Sequence, residues 1–250
     1  MPPTTTKVRT TDDIRAFFDA LAPVYADAHG APDRQLRYRL DLIEHLLGGA
    51  PRGVLVEIGC GTGLHLFPLA ASFQRVIGTD LSPAMIERAE SIRRDHPQAA
   101  RIRLRVDPAE ALDSVRDAEA DAVLCVGALE HMPDKAAVLH QVFRVLKPGG
   151  SFVCLTPNGD YVWYRRLAPR LGLATRHLSS DRFLGRKELR GLVAAAGFCL
   201  ERLRPWTFIP RGDIPGIWIP PLAIADWIGG LPGMSVLRGG LALHALRPPA

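Results

Sequence analysis

Lysine is scarce in this chain. It occurs only at Lys7, Lys135, Lys147 and Lys187, so arginine carries nearly all of the positive charge, and the formal net charge is +5. So small a balance over 250 residues gives little support to a nucleic-acid partner. Cysteine is sparse too, at Cys60, Cys125, Cys154 and Cys199. No pair has C-x-x-C spacing, which argues against a metal site and for reduced thiols. No apolar run reaches the ~18 residues of a membrane span. The N-terminal MPPTTTKVRTTDDIRAFF lacks the apolar core of a signal peptide. A cytoplasmic protein is therefore expected, with peripheral contact at the inner face of a membrane left open. No internal repeat or low-complexity tract is present, so solenoid and disordered classes drop out.

What is present is alternation. Hydrophobic residues make up 47% of the chain, ample for a large core. Two helices are expected first. One is capped by Thr11 or Asp12 and ends before Pro23; the other covers 33–47 and stops at Gly48-Gly49. β-rich runs follow at 54–58, 75–79, 102–106, 122–126, 151–155, 199–203 and 241–246. Helical segments at 64–72, 83–94, 134–146 and 186–196 separate most of them, with Lys147-Pro148-Gly149-Gly150 read as a turn. Strands alternating with helices imply an α/β fold. Its expected form is Rossmann-like: a seven-stranded, mostly parallel sheet with helices on both faces, N-terminal helices and a C-terminal lid insertion. The expected division is an N-terminal helical cap over 1–50 and a cofactor-binding domain over 51–250.

The sharpest motif is Glu57-Ile58-Gly59-Cys60-Gly61-Thr62-Gly63, where a strand feeds a glycine loop that feeds a helix. Glycine lets the backbone turn sharply and come close to a ligand. A dinucleotide fingerprint needs a third glycine at the position held by Leu64, so the spacing is G-x-G-x-G instead. Asp80 ends the second strand, where a carboxylate can accept both ribose hydroxyls of a nucleoside. Asp107 follows the third strand and precedes Pro108, which has no N–H to donate, and Ala109, which has one. The segment DAVLCVGALEHMPD carries the fourth strand and then Glu130 and His131.

Residues 53–155 resemble the class I S-adenosylmethionine (SAM) dependent methyltransferases. The stretch Phe18-Asp19-Ala20-Leu21-Ala22-Pro23-Val24-Tyr25 extends the resemblance to small-molecule members of the ubiquinone and menaquinone type. The resemblance implies SAM as cofactor, with no metal. It places Glu57, Gly59, Cys60, Gly61 and Gly63 along the amino-acid part of SAM, and Asp80 with Leu81 at the ribose. Asp107, Pro108 and Ala109 fall at the adenine, Val126 and Gly127 beneath the cofactor, and Tyr25 over it. His131, whose ordinary pKa lies near neutrality, is the best-placed general base for a hydroxyl acceptor; the alternative is that Glu130 and His131 only cap the next helix. The implied reaction is methylation of a small, apolar or aromatic molecule, with O-methylation favoured over C- or N-methylation.

The acceptor side is expected from two segments, about 160–190 and 205–235. The first holds Arg165, Arg166, Arg170, Arg176, Arg182, Arg186, Lys187 and Arg190, either a solvated face or a surface for an anionic substrate or membrane. The second holds Pro205, Pro210, Pro215, Pro220 and Pro221, which preclude a long helix, together with Trp206, Trp218 and Trp227. It reads as a lid, a membrane contact or a homodimer face. Among rivals, an amino-methylating nucleic-acid enzyme is disfavoured because Val126-Gly127-Ala128-Leu129 replaces the Asp/Asn-Pro-Pro-Tyr/Phe motif. An NAD-dependent oxidoreductase is disfavoured by Leu64. A membrane-associated SAM-binding protein without catalysis stays as the non-enzyme alternative.

Overall fold

Seven strands build one sheet: β1 (Val54–Ile58), β2 (Arg75–Asp80), β3 (Ile102–Val106), β4 (Ala120–Val126), β5 (Leu146–Pro157), β6 (Cys199–Trp206) and β7 (Gly240–Leu246). A computed structural model describes residues 5–25, 33–173, 175–206, 217, 219–231 and 233–249. The strand order is β3-β2-β1-β4-β5-β7-β6. β1 to β5 pair in parallel, and β7 runs antiparallel to both β5 and β6. The mostly parallel sheet is as expected.

The central strands are apolar throughout because both sheet faces are covered. Leu55 of β1 looks toward Ile43, Leu46 and Leu47 of α2 (Asp33–Leu47) and toward Leu66 of α3 (Leu66–Leu69). Ile86 and Ala89 of α4 (Pro83–Arg94) join the same layer. Val56 and Ile58 look the other way. They meet Val138, Leu139 and Val142 of α5 (Lys135–Val145) and Leu189 and Val193 of α6 (Arg186–Ala195). Burying each such side chain contributes about 1.5–3 kcal/mol, so the two layers hold the sheet as a rigid platform. Because β1 pairs with β2 on one side and β4 on the other, the loops leaving β1 and β4 part and open a crevice at the strands' carboxyl ends.

Helix α1 (Thr11–Leu21) roofs that crevice. Its N-cap is Thr10, one residue before the expected cap. Thr10 Oγ1 accepts from the Asp13 N–H, and the Asp13 carboxylate accepts from the Thr10 N–H. That reciprocal box needs an acidic residue three positions on, which Thr10 has and Thr11 does not. Asp19 ties the roof down: its Oδ1 accepts from Ser82 Oγ at 2.5 Å and from the Ala84 N–H at 3.2 Å, at the start of α4.

Three other expectations are corrected. The helix expected over 64–72 shrinks to α3, because Pro68 cannot donate and breaks the ladder. The segment 147–150 is an irregular stretch of β5 and not a turn, since Gly149 and Gly150 pair with Arg247 while the register to β4 shifts between Ala120 and Ala122. A ten-residue helix, α7 (Ile219–Ile228), forms in the proline-rich segment. Pro220 and Pro221 lie in its first turn, where no N–H is required. Of the segment 205–235, residues 207–216, Trp218 and Pro232 lie outside the described residues.

Candidate active site

The loop after β1 turns through three left-handed glycines: Gly59 at φ +63°, Gly61 at +53° and Gly63 at +85°. Each solves a different packing problem. A Cβ on Gly59 would stand 2.5 Å from the Ala128 Cβ, so the loops after β1 and β4 touch here. A Cβ on Gly61 would stand 3.2 Å from the Tyr25 ring, which therefore closes down on the loop. A Cβ on Gly63 would meet the Phe67 ring at 2.5 Å, a matter of helix packing.

Beside this loop lies a cavity, and Tyr25, Gly59, Gly61, Asp80, Leu81, Asp107, Ala109, Gly127 and His131 all line it. Ile14 and Phe18 of α1 supply the roof, with Ala128, Met132 and Pro133 from the β4 loop. The lining set includes neither Glu57, Cys60, Gly63, Pro108 nor Val126. Cys60 is buried, and burial pushes its thiol well above the ordinary value, so it is no nucleophile. Pro108 starts a turn through its carbonyl, which accepts from Ala111 and Leu112. Glu57 is buried with Oε1 3.5 Å from His65 Nδ1, and burial raises its pKa more than His65 lowers it. Among the described residues, Glu57 Oε2 has no hydrogen-bond partner.

Asp80 accepts from the Gly61 N–H at 2.8 Å and from the Ser82 N–H at 2.9 Å, one on each oxygen. A carboxylate has about four acceptor positions, so each oxygen keeps capacity for a hydroxyl. Burial raises its pKa against the pull of those two N–H groups. Asp107 holds the loop after β3 by accepting from Ser114 at 2.7 Å and Asp113 at 3.3 Å. Tyr25 is held protonated by burial and by the neighbouring Asp80 and Glu57 carboxylates.

Asp134 caps α5, so the capping role offered for His131 is not the one it has. His131 Nδ1 lies 2.6 Å from Asp181 Oδ1. Asp181 is fully buried, and its Oδ2 accepts from the backbone N–H of His177 and Leu178. Burial pulls the imidazole pKa down. The Asp181 bond and the carboxylates of Glu130 and Asp181 outweigh it, so His131 sits above its ordinary value. Burial works upward on Asp181, yet the pairing with His131 keeps it below the usual carboxylate range. With Nδ1 engaged, Nε2 is the nitrogen left for the cavity. Phe18 meets the imidazole edge to face, with centroids 5.2 Å apart. The chain pattern gave no sign of Asp181, which stands 50 positions from His131 in an arginine-rich stretch. Ile14 and Phe18 carry no local signal beyond their apolar spacing along α1. Among the described residues of 160–190 and 205–235, none lines the cavity; the first segment reaches it through Asp181. Among the described residues, no group of three or more His, Cys, Asp or Glu is arranged to hold a metal.

Residues 56–154 match the family model described as a methyltransferase domain. The ubiquinone biosynthesis O-methyltransferase of Nitrosomonas europaea is 32% identical over 186 residues, which cover 69% of this chain and 74% of that protein. The chain belongs to the SAM-dependent methyltransferase family. Another relative, the ubiquinone biosynthesis O-methyltransferase of Alkalilimnicola ehrlichii, is 32% identical over 62% of this chain. The chain spans 63% of the length of that relative. Among solved structures, the [4+2]-cyclase SpnF superposes over 100% of this chain and 99% of its own, with a TM-score of 0.73 at 18% identity. A geranyl diphosphate methyltransferase in complex with GPP and sinefungin covers 95% of this chain and 98% of its own, with a TM-score of 0.66 at 16% identity. At such identities the likeness is one of fold.

The geometry of the cavity is compatible with SAM. Gly59 and Gly61 leave a bare backbone at the cavity wall, and Asp80 presents acceptor capacity for a ribose diol. Glu57 adds a buried oxygen behind the loop that has no partner among the described residues.

Proposed function

We propose that this chain transfers a methyl group from SAM to the hydroxyl of a small, apolar or aromatic acceptor. The observation that carries the reading is the His131–Asp181 pair at the wall of a cavity whose glycine loop suits SAM. Asp80 accepts the ribose hydroxyls, Gly59 and Gly61 let the backbone close on the amino-acid part, and Gly127 and Ala109 line the remaining wall. Asp107 takes the adenine end while keeping its own loop in place.

SAM, when bound, supplies an electrophilic methyl on a sulfonium. The protein's part is to hold the acceptor oxygen in line and keep water out, and such positioning can supply about 7–11 kcal/mol at best. Ile14, Phe18, Met132 and Pro133 make that environment apolar. His131 Nε2 takes the acceptor proton as the oxygen attacks. Asp181 accepts from Nδ1–H, fixes the tautomer and stabilises the imidazolium that results. A carbon acceptor would use the same base differently, and a neutral amine would need it less; the dyad therefore favours oxygen. The ubiquinone-type relatives support the same choice. The proposed partner is a small-molecule acceptor. The exposed apolar residues of α7 support one further contact, with a membrane surface or with a second copy of the chain.

The test is a calorimetric titration with SAM, S-adenosylhomocysteine and NAD, followed by a screen of phenols and quinols with labelled SAM. Micromolar binding of the first two and methyl transfer to a hydroxyl are expected. His131→Ala should cut turnover by roughly 10²–10⁴-fold while SAM still binds. Unchanged turnover would remove His131 as the base, and binding of NAD alone would overturn the whole reading.

A further inference from the structure

Helix α7 inverts the usual rule for a surface helix. Its one charged residue, Asp226, is buried and faces Arg238, with Oδ2 4.0 Å from Nε. Leu222, buried, lies on the same inward side. The outward stripe is Ile224, Trp227 and, just past the helix end, Leu231, at i, i+3 and i+7; Trp227 is 73% exposed. A soluble helix puts polar residues on that face. Met234 and Val236 continue the apolar surface.

Against α7 packs the helical segment that follows β5. Leu222 joins Tyr161, Trp163, Tyr164 and Ala168 in one apolar cluster. The outer side of that segment exposes Leu167 and Leu171 together with Arg165, Arg166 and Arg170. No acidic residue occurs from 161 to 180, and from 217 to 238 the only one is the buried Asp226. The exposed side chains of the two stretches are thus apolar residues, a tryptophan and an arginine cluster, with no carboxylate from either. Both stretches also lie at the sheet edge that holds the cavity: the last residues of β5 and β6, Pro157 and Trp206, both pair with Gly240, at the carboxyl end of the parallel strands.

We propose that this face, formed by α7 and the 163–171 segment, docks the protein on an anionic lipid bilayer. The inference goes beyond the methyl-transfer reading and does not depend on it. Charge decides the occupant. An isologous dimer built on this face would bury Arg165, Arg166 and Arg170 with no exposed carboxylate from either stretch to pair with them. Anionic headgroups complement them, and apolar side chains with Trp227 enter the interfacial region where tryptophan is favoured.

The experiment is co-sedimentation of the full chain with vesicles of phosphatidylcholine containing phosphatidylglycerol, and with vesicles of phosphatidylcholine alone. The wild type should partition to the anionic vesicles and be released by high salt. Arg165→Gln/Arg166→Gln/Arg170→Gln should lower partition by on the order of a hundredfold, and Ile224→Ser/Trp227→Ser by tenfold or more. Unaltered thermal melting and SAM titration certify that both variants fold. Failure of the wild type to bind, or equal partition of wild type and variants, overturns the proposal. So does a wild-type dimer in the ultracentrifuge that Ile224→Ser/Trp227→Ser dissociates. Partition is read without turnover, so a failed methylation screen counts against the proposed reaction and not against the docking face.

Discussion

For the proposed reaction His131 must be neutral to take a proton, and its raised pKa sets where that happens. Activity under kcat/KM conditions should therefore fall as pH drops through that raised value, above the ordinary histidine range near 6.5. Asp181→Asn removes the paired carboxylate and leaves a less favourable partner for Nδ1–H. The acid limb should then move to lower pH, while the plateau rate falls by on the order of tenfold or more. A plateau loss with the limb unmoved would make Asp181 a packing residue only. The same pair carries a stability signature. A raised His131 pKa gives stability that is present below the unfolded value and lost as pH rises through the folded one. The lowered Asp181 pKa gives stability present above its unfolded value of 3.8 and lost as pH falls further. Melting temperatures of the wild type minus those of Asp181→Asn should thus peak between those limits. Asp80 works in the other direction. Its carboxylate must be ionised to accept a diol, yet burial raises its pKa, so SAM affinity should weaken on acidification earlier than for an exposed aspartate. Asp80→Ala should weaken SAM by about 2–3 kcal/mol, the range of one hydrogen bond to a charged group, as read by titration at neutral pH.

At the scale of elements, two glycines make opposite predictions. Gly59 combines a left-handed φ with the 2.5 Å approach to Ala128, so Gly59→Ala must both strain the loop and push the β1 and β4 loops apart. SAM affinity should drop by more than tenfold in a protein that still melts cooperatively. Gly191 lies exposed within α6 with nothing near its would-be Cβ, and its φ is not positive. Gly191→Ala should raise stability by up to about 1 kcal/mol and leave SAM binding alone. Equal effects from the two would mean that helix propensity, and not the loop contact, governs Gly59. These positions also show what a sequence discloses. The strand ends and the glycine loop were legible because local chemistry fixes them: β-rich runs, glycine spacing, Ser82-Pro83 at the start of α4. The outcome at 64–72 turned on one residue, Pro68, acting inside an apolar pattern that otherwise suits a helix. The proline-rich 219–228 stretch went the other way, because proline breaks a helix only after its first turn.

At the scale of the whole molecule, the site depends on contacts that no local pattern encodes. Asp181 is placed by a strap from the other end of the chain. The N–H of Thr6 donates to the His177 carbonyl at 2.8 Å, and the N–H of Ser179 donates to the Thr6 carbonyl at 2.8 Å. The Val8 N–H donates to Ser179 Oγ, which in turn donates to the Val8 carbonyl. These bonds join positions 171 to 173 apart, and the strap leads straight into the capping box of α1, the roof of the cavity. One short arm therefore couples the segment behind the base to the lid above the acceptor. Removing residues 1–8 should leave the sheet core and the Asp80 site intact, since among the described residues the arm's hydrogen bonds go to 176–179. It should speed amide hydrogen exchange across 176–181 and lower turnover, by less than Asp181→Asn does, because Asp181 retains its bonds to the His177 and Leu178 N–H groups. The acid limb should broaden or shift part of the way toward that of Asp181→Asn. Unchanged exchange at 176–181 would mean that the segment positions Asp181 by itself, and that the arm merely rests on it.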